Sequence, residues 1–170
     1  SNLELDANLM DQLRGLVTVD PDITNAQFEA WVETSGVAEA FPGGVGFGFI
    51  ERVPATDLAA FVAARQSDPV SGLPVVDPMV PVPDGHPDEY CLQRTGVWNT
   101  TEIQGFQVPA GLDFCATELT PGTSSVLPEL LEVATDTGGA AVLTPDQLIP
   151  GVFALFAPVY RGGVTPPTVD

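Results

Sequence analysis

Residues 41–54 read FPGGVGFGFIERVP, with four glycines packed into positions 43–48, then apolar residues, an acid and a base. Two readings compete: a phosphate-cradling loop, or a strand with one bare face. A dinucleotide loop needs G-x-G-x-x-G between a strand and a helix. Here Gly44, Gly46 and Gly48 fall at every second position, and the sequence runs on through Ile50, Glu51, Arg52 and Val53 without opening a helix. No Gly-Lys-Ser/Thr follows, because the chain has no lysine. Val45, Phe47 and Phe49 alternate with Gly46, Gly48 and Ile50, the period of a strand over 45–53. Glycines at alternate positions strip one face, so that another backbone, a helix or a ligand can approach it closely. The stretch is a strand.

Outward from it, the N-terminal side is helical. Leu5, Leu9, Leu13, Leu16 and Val17 recur at helical spacing over 3–19, and Asp20-Pro21-Asp22 interrupts them. Thr24 to Gln27 matches a capping box, opening a second helix with Phe28, Trp31 and Val32 on one face, closed at Ser35-Gly36. On the C-terminal side, 54–65 reads as a helix with Leu58, Phe61 and Val62 as its stripe. Residues 69–87 hold six prolines and read as a long extended loop. Residues 88–95 read as a strand, 96–111 as loop or weak hairpin, and 125–137 as a helix with Pro128 in its first turn and Gly138 at its end. Residues 140–144 and 152–160 read as strands able to pair antiparallel. This order predicts an α+β fold, one antiparallel sheet with helices against it.

The 170 residues suit one domain, or one domain with a helical extension. No run approaches about 18 consecutive apolar residues, so no membrane span or signal peptide is expected within it. Ser1-Asn2 reads as the remnant of a removed tag. Twenty-three acids face five arginines, a net charge of −18. Such a surface repels nucleic acid and anionic membranes, and scarcity of basic residues fits a position outside a membrane. There Cys91 and Cys115, 24 residues apart, form a disulfide; in a reducing cytosol they are two thiols.

Several stretches resemble CHASE domains, the extracytoplasmic sensor modules of membrane receptors: GVGFGFIERVPATDLAAF, DEYCLQRTG, GLDF, LLEVATDTGGAAVLTPDQL and LFAPVYRGG, in that order over about residues 41–163. Ala134 to Gly138 and Pro158-Val159-Tyr160 are the most specific pieces. The resemblance implies a PAS-like antiparallel sheet with flanking helices enclosing a ligand pocket. It also implies a long N-terminal helix continuing from a membrane span, and an output histidine kinase, diguanylate cyclase or nucleotide cyclase. Residues 1–40 are then a juxtamembrane and dimer-forming region, and 41–170 the sensing domain. In plant cytokinin receptors of this family an Asp in a matching DEY stretch contacts the ligand; here that position is Asp88. The segment between GLDF and the Ala134 run is longer than is usual in the family, so cytokinin itself is a poor fit.

Alternation places Tyr90, Leu92 and Arg94 on the face of Asp88, so Asp88, Tyr90 and Leu92 are candidate ligand contacts, with Phe47 and Phe49 as an aromatic wall. Leu143, Thr144, Phe153 and Leu155 on the last two strands complete the candidate pocket. Each has a plainer reading: an exposed acid for Asp88, ordinary core for the rest. Asp84, His86 and Asp88 make a poor metal cluster, since His86 is the chain's single histidine and calcium takes more oxygen ligands at loop spacing. No metal, cofactor or catalytic constellation is expected, and no G-x-S-x-G is present. Asn99-Thr100-Thr101 is a glycosylation sequon, meaningful only for a eukaryotic source. The expected function is an extracytoplasmic small-molecule sensor of a bacterial membrane-spanning receptor, a homodimer through its first helix. The alternative is a secreted binding or adhesion module without signalling output.

Overall fold

The computed structural model describes residues 2–40, 44–83, 85, 87–100, 102–103, 106–120, 123–143 and 154–160. In chain order they form α1 (Asn2–Val19), α2 (Asn25–Ser35), the single turn α3 (Val37–Ala40), β1 (Gly46–Pro54) and a 3-10 turn (Ala55–Asp57). Then come α4 (Leu58–Ser67), β2 (Glu89–Trp98) and four short strands, β3 (Glu102–Ile103), β4 (Phe106–Gln107), β5 (Glu118–Thr120) and β6 (Thr123–Ser124). Last are α5 (Leu127–Thr137), β7 (Ala141–Leu143) and β8 (Ala154–Phe156). The class is α+β. Two compact units divide the chain: Thr24–Ser124 is one, and Ser1–Ile23 with Ser125–Asp170 is the other.

Where one sheet was expected, the described strands pair into four two-stranded antiparallel ladders. Most are too short to extend further: β3 with β4 and β5 with β6 are local hairpins of two or three residues a side. The long ladder is β1 with β2, running from Gly46 opposite Trp98 to Pro54 opposite Glu89. Its register slips once. Phe49 faces Thr95 and Ile50 faces Gln93, leaving Arg94 as the extra residue of a β-bulge.

Two helices cover this ladder. Thr24 caps α2 reciprocally, its hydroxyl accepting from the Gln27 N–H at 3.2 Å while the Gln27 side chain accepts from the Thr24 N–H at 2.9 Å. Gly36, in the left-handed conformation at φ 74°, ends the helix. Its buried Phe28 meets Phe49 of β1 edge to face, ring centroids 5.7 Å apart. Beyond the bulge, Val53, Tyr90, Leu92 and Met79 form a buried cluster, against which Leu58, Phe61 and Val62 of α4 pack.

The bare strand face is filled from within. The Trp98 indole lies over Gly46, where a Cβ would stand 2.8 Å from the ring. A Cβ on Gly48 would run into the Thr95 carbonyl and the Gln93 amide, and one on Gly96 into that same amide. The Trp98 indole N–H donates to Gln93 Oε1 at 2.8 Å, so the two side chains lie as a bonded pair over the glycines. The close approach expected of these glycines therefore comes from the partner strand.

In the other unit, Pro128 sits in the first turn of α5, Gly138 ends it at φ 68°, and Ala134 is buried. β7 and β8 pair as expected, with Val142 opposite Leu155. Tyr160 donates its hydroxyl hydrogen to the Thr135 carbonyl at 2.5 Å, tying the chain after β8 to α5.

Gly48→Ala should destabilise the Thr24–Ser124 unit by about 1–3 kcal/mol through overpacking. Gly15→Ala, in α1 with open space around it, should stabilise its own unit by about 1 kcal/mol. Urea unfolding of the two variants checks both signs.

Candidate functional site

The bulge breaks the ladder and strands backbone polar groups in the interior, where an unpaired group is costly. Asn25, in the first turn of α2 and 3% exposed, answers this. Its Oδ1 accepts the Gly96 N–H at 2.9 Å and its Nδ2 donates to the Arg94 carbonyl at 3.3 Å. The Asn25 amide group also donates to the Asp68 carbonyl at 2.8 Å. The Asp68 carboxylate accepts the Asn25 backbone N–H at 3.0 and 3.2 Å, a negative charge at the positive end of α2. Arg65, at the end of α4, donates from Nη1 to the Arg94 carbonyl and to Asp68, whose Oδ2 lies 3.4 Å away. One polar knot thus joins α2, α4 and the β2 bulge.

Arg65 also helps wall a cleft lined by Gln66, Val70, Leu73, Val76, Met79 and Gln93, with room of about 30 Å³. That holds a water or a very small group; opening of its valine and proline rim is needed for anything larger. Burial pushes the Arg65 guanidinium below its ordinary pKa, opposed by the charge of Asp68; Arg94 lowers it further and Glu51 raises it. It keeps its charge, as arginines do in proteins. Phe61 lies beneath it, 5.7 Å from Arg65 Cζ to the ring centroid. Its Nε is buried without a hydrogen-bond partner.

Cys91 and Cys115 are joined as a disulfide, the pairing expected of an oxidising, extracytoplasmic setting. Asp113, 3% exposed, lies beside the bridge, its Oδ1 accepting the N–H of Cys91 at 2.9 Å and of Cys115 at 3.0 Å. The two sulfurs and a carboxylate oxygen lie within 4.8 Å of one another. While the bridge is formed, its sulfurs are not thiolate ligands.

The residues picked out in the sequence fall in several places. Asp88 is exposed just before β2, with its carbonyl accepting the Ala55 N–H at 2.8 Å. Tyr90 and Leu92 lie in the cluster under α4, 4% and 0% exposed. Phe49 packs on Phe28, and Phe47 is half-buried. Leu143 ends β7 opposite Ala154, and Leu155 is half-buried on β8, both in the other unit. Thr144, Phe153, Asp84 and His86 lie outside the described residues. Asn25, Arg65, Asp68 and Gln93 escaped notice in the sequence. The available signal was an Asn directly after a capping Thr, and an arginine three residues before an acid in a chain with five arginines.

No family model, no curated protein and no solved structure matches this chain.

The carboxylate of Asp113 disfavours a thiolate leaving beside it and repels an incoming one. Asp113→Asn, which keeps the acceptor oxygen, should therefore be reduced by dithiothreitol severalfold faster than the parent. Once reduced, either protein should lose roughly 3 kcal/mol of stability. Reduction rates followed by thiol alkylation and mass spectrometry check the first, and urea unfolding the second.

Proposed function

We propose that this chain is the extracytoplasmic ligand-sensing part of a membrane-bound receptor, with its small-molecule site at the cleft beside Arg65. The observation that carries the reading is that cleft: a charged, largely buried guanidinium and two glutamines set in a wall of valines, prolines and Met79. A few polar groups in an apolar concavity is the composition of a ligand site. The disulfide supports the compartment. The order of CHASE-like stretches supports the receptor context, with a PAS-like architecture and a homodimer formed through α1.

Signalling then requires that ligand favour one of two arrangements. Binding tightens the rim formed by residues 69–79 against α4, and the change leaves through the N-terminal helix toward an adjoining span. A ligand that binds both arrangements equally transmits nothing. No described helix is long and apolar enough to cross a membrane itself. A second reading, a secreted binding module, is favoured by the valines left exposed along the proline-rich segment, Val75 at 72% and Val80 at 52%. An open apolar patch of this kind suits a protein partner.

Thermal unfolding of the chain in the presence of amino acids, purines, amines and small carboxylates separates the two. The sensor reading predicts at least one compound that raises the melting temperature, about 2.7 kcal/mol of stabilisation at a hundredfold excess over Kd. No shift across all four classes contradicts it and leaves the secreted module.

A further inference from the structure

We propose that the cleft beside Arg65 receives the carboxylate of a short-chain aliphatic acid, head on the guanidinium and tail against the valine rim. This rests on the reading of the cleft as a ligand site and names its chemistry.

The head group follows from the arginine. A guanidinium carries five N–H donors in a planar fork. Among the described residues, the hydrogen bonds Arg65 makes all leave from Nη1, to the carbonyls of Asp68 and Arg94 and to Asp68 Oδ2. Nε is left buried with no acceptor. None of these bonds leaves from the edge shared by Nε and Nη2; Nε has no surface open to solvent, so an incoming group reaches that edge only as the cleft wall opens. Two parallel N–H groups on one edge match the two oxygens of a carboxylate.

Charge around the cleft does not forbid this, despite the net −18 of the chain. Two of the five arginines, Arg65 and Arg94, act on one another here, with Asp68 and Glu51 as the opposing acids. Asp68 is itself held at the N-terminus of α2 through the Asn25 N–H. Its charge is therefore partly offset by the helix dipole. Asp77, bonded to the lining Gln66 at 2.5 Å, is a third acid nearby, so the unpartnered Nε–H, rather than a surplus of positive charge, is what calls for an anion.

The tail follows from the wall. Val70, Leu73 and Met79 are each under 10% exposed, while Val75 and Val76 are open to solvent. The lining carries no acid, and its polar members besides Arg65 are Gln66 and Gln93. The room of about 30 Å³ holds no more than a water or a very small group, so the rim opens as the acid enters. A phosphate, tetrahedral and doubly charged, would bring more oxygens than one guanidinium edge serves. A long acyl chain would exceed the rim.

The test is calorimetric titration and thermal unfolding of the full chain with sodium butyrate, 1-butanol and butylamine at matched ionic strength, beside adenine as an unrelated probe. Butyrate should bind and raise the melting temperature, and 1-butanol and butylamine should not. Val76→Asp places a like charge at the rim on a side chain already 45% exposed. It should weaken butyrate at least about tenfold while leaving the unliganded melting temperature in place. Arg65→Lys keeps the charge and removes the fork, so butyrate binding should be lost; should that variant unfold, Val76→Asp decides alone. Butyrate binding equally to Val76→Asp and the parent overturns the proposal, since the site then lies elsewhere. Butylamine binding that Val76→Asp strengthens, or adenine binding that it alters, overturns the carboxylate and keeps the cleft as a ligand site. No stabilisation by any of the four probes overturns the carboxylate, while the broader sensor reading falls only if the wider compound set is silent as well.

Discussion

The extra residue at Arg94 is the constraint around which the Thr24–Ser124 unit is organised. A bulge in a two-stranded ladder frees a carbonyl and an N–H that no neighbouring strand is there to meet. Asn25 meets both, accepting from Gly96 and donating to the Arg94 carbonyl, and Arg65 adds a second donor to that carbonyl. Each of these side chains sits at the end of a helix. The bulge therefore fixes where α2 begins and where α4 stops, and Asp68 fastens the two ends to each other. Unmaking any one of these contacts leaves buried polar groups exposed to one another with no water, a cost of about 1–3 kcal/mol per group.

The glycine-rich strand belongs to the same arrangement. On the ladder before the bulge, Gly46, Gly48 and Gly96 leave a shallow trough, and Trp98 and Gln93 lie in it, bonded to each other. Gln93 is also the residue immediately before Arg94, and it lines the cleft walled by Arg65. The segment after α4 closes over the same strand: Ser71 accepts the Trp98 N–H at 2.9 Å and donates its own N–H to the Gly96 carbonyl at 3.2 Å. The far end of β2 is anchored differently, by the Cys91–Cys115 bridge and the Asp113 carboxylate. One strand thus carries the bulge, the trough, one wall of the cleft and the disulfide.

Much of the local structure was legible because its cause is local. The capping box at Thr24, the helix-ending Gly36 and Gly138, Pro128 in a first turn, and period two through Phe47 and Phe49 each act within a few residues. The cysteine pair was legible from the number and compartment logic alone. The bulge was not, because nothing in GVW or QRT announces that Arg94 will be an extra residue in the ladder; the side chains that meet its carbonyl, Asn25 and Arg65, lie 69 and 29 residues away. Alternation from Asp88 through Tyr90 and Leu92 also reads alike for a pocket wall and a core, and α4 decides for the core by lying on them. Asp88 itself stops one residue short of the strand. The cleft was illegible for the same reason as the bulge: Arg65, Met79 and Gln93 meet only in the folded chain.

The most direct measurement is amide hydrogen exchange at Gly96 by NMR. Held by a buried side-chain oxygen at the centre of the knot, that N–H should exchange only by unfolding of the whole unit, with the same free energy as the slowest amides of β2 and the same response to added urea. Exchange at the rate of the exposed Val75, Val76 and Asp77, insensitive to urea, would mean that the bulge opens on its own and that Asn25 does not organise the fold.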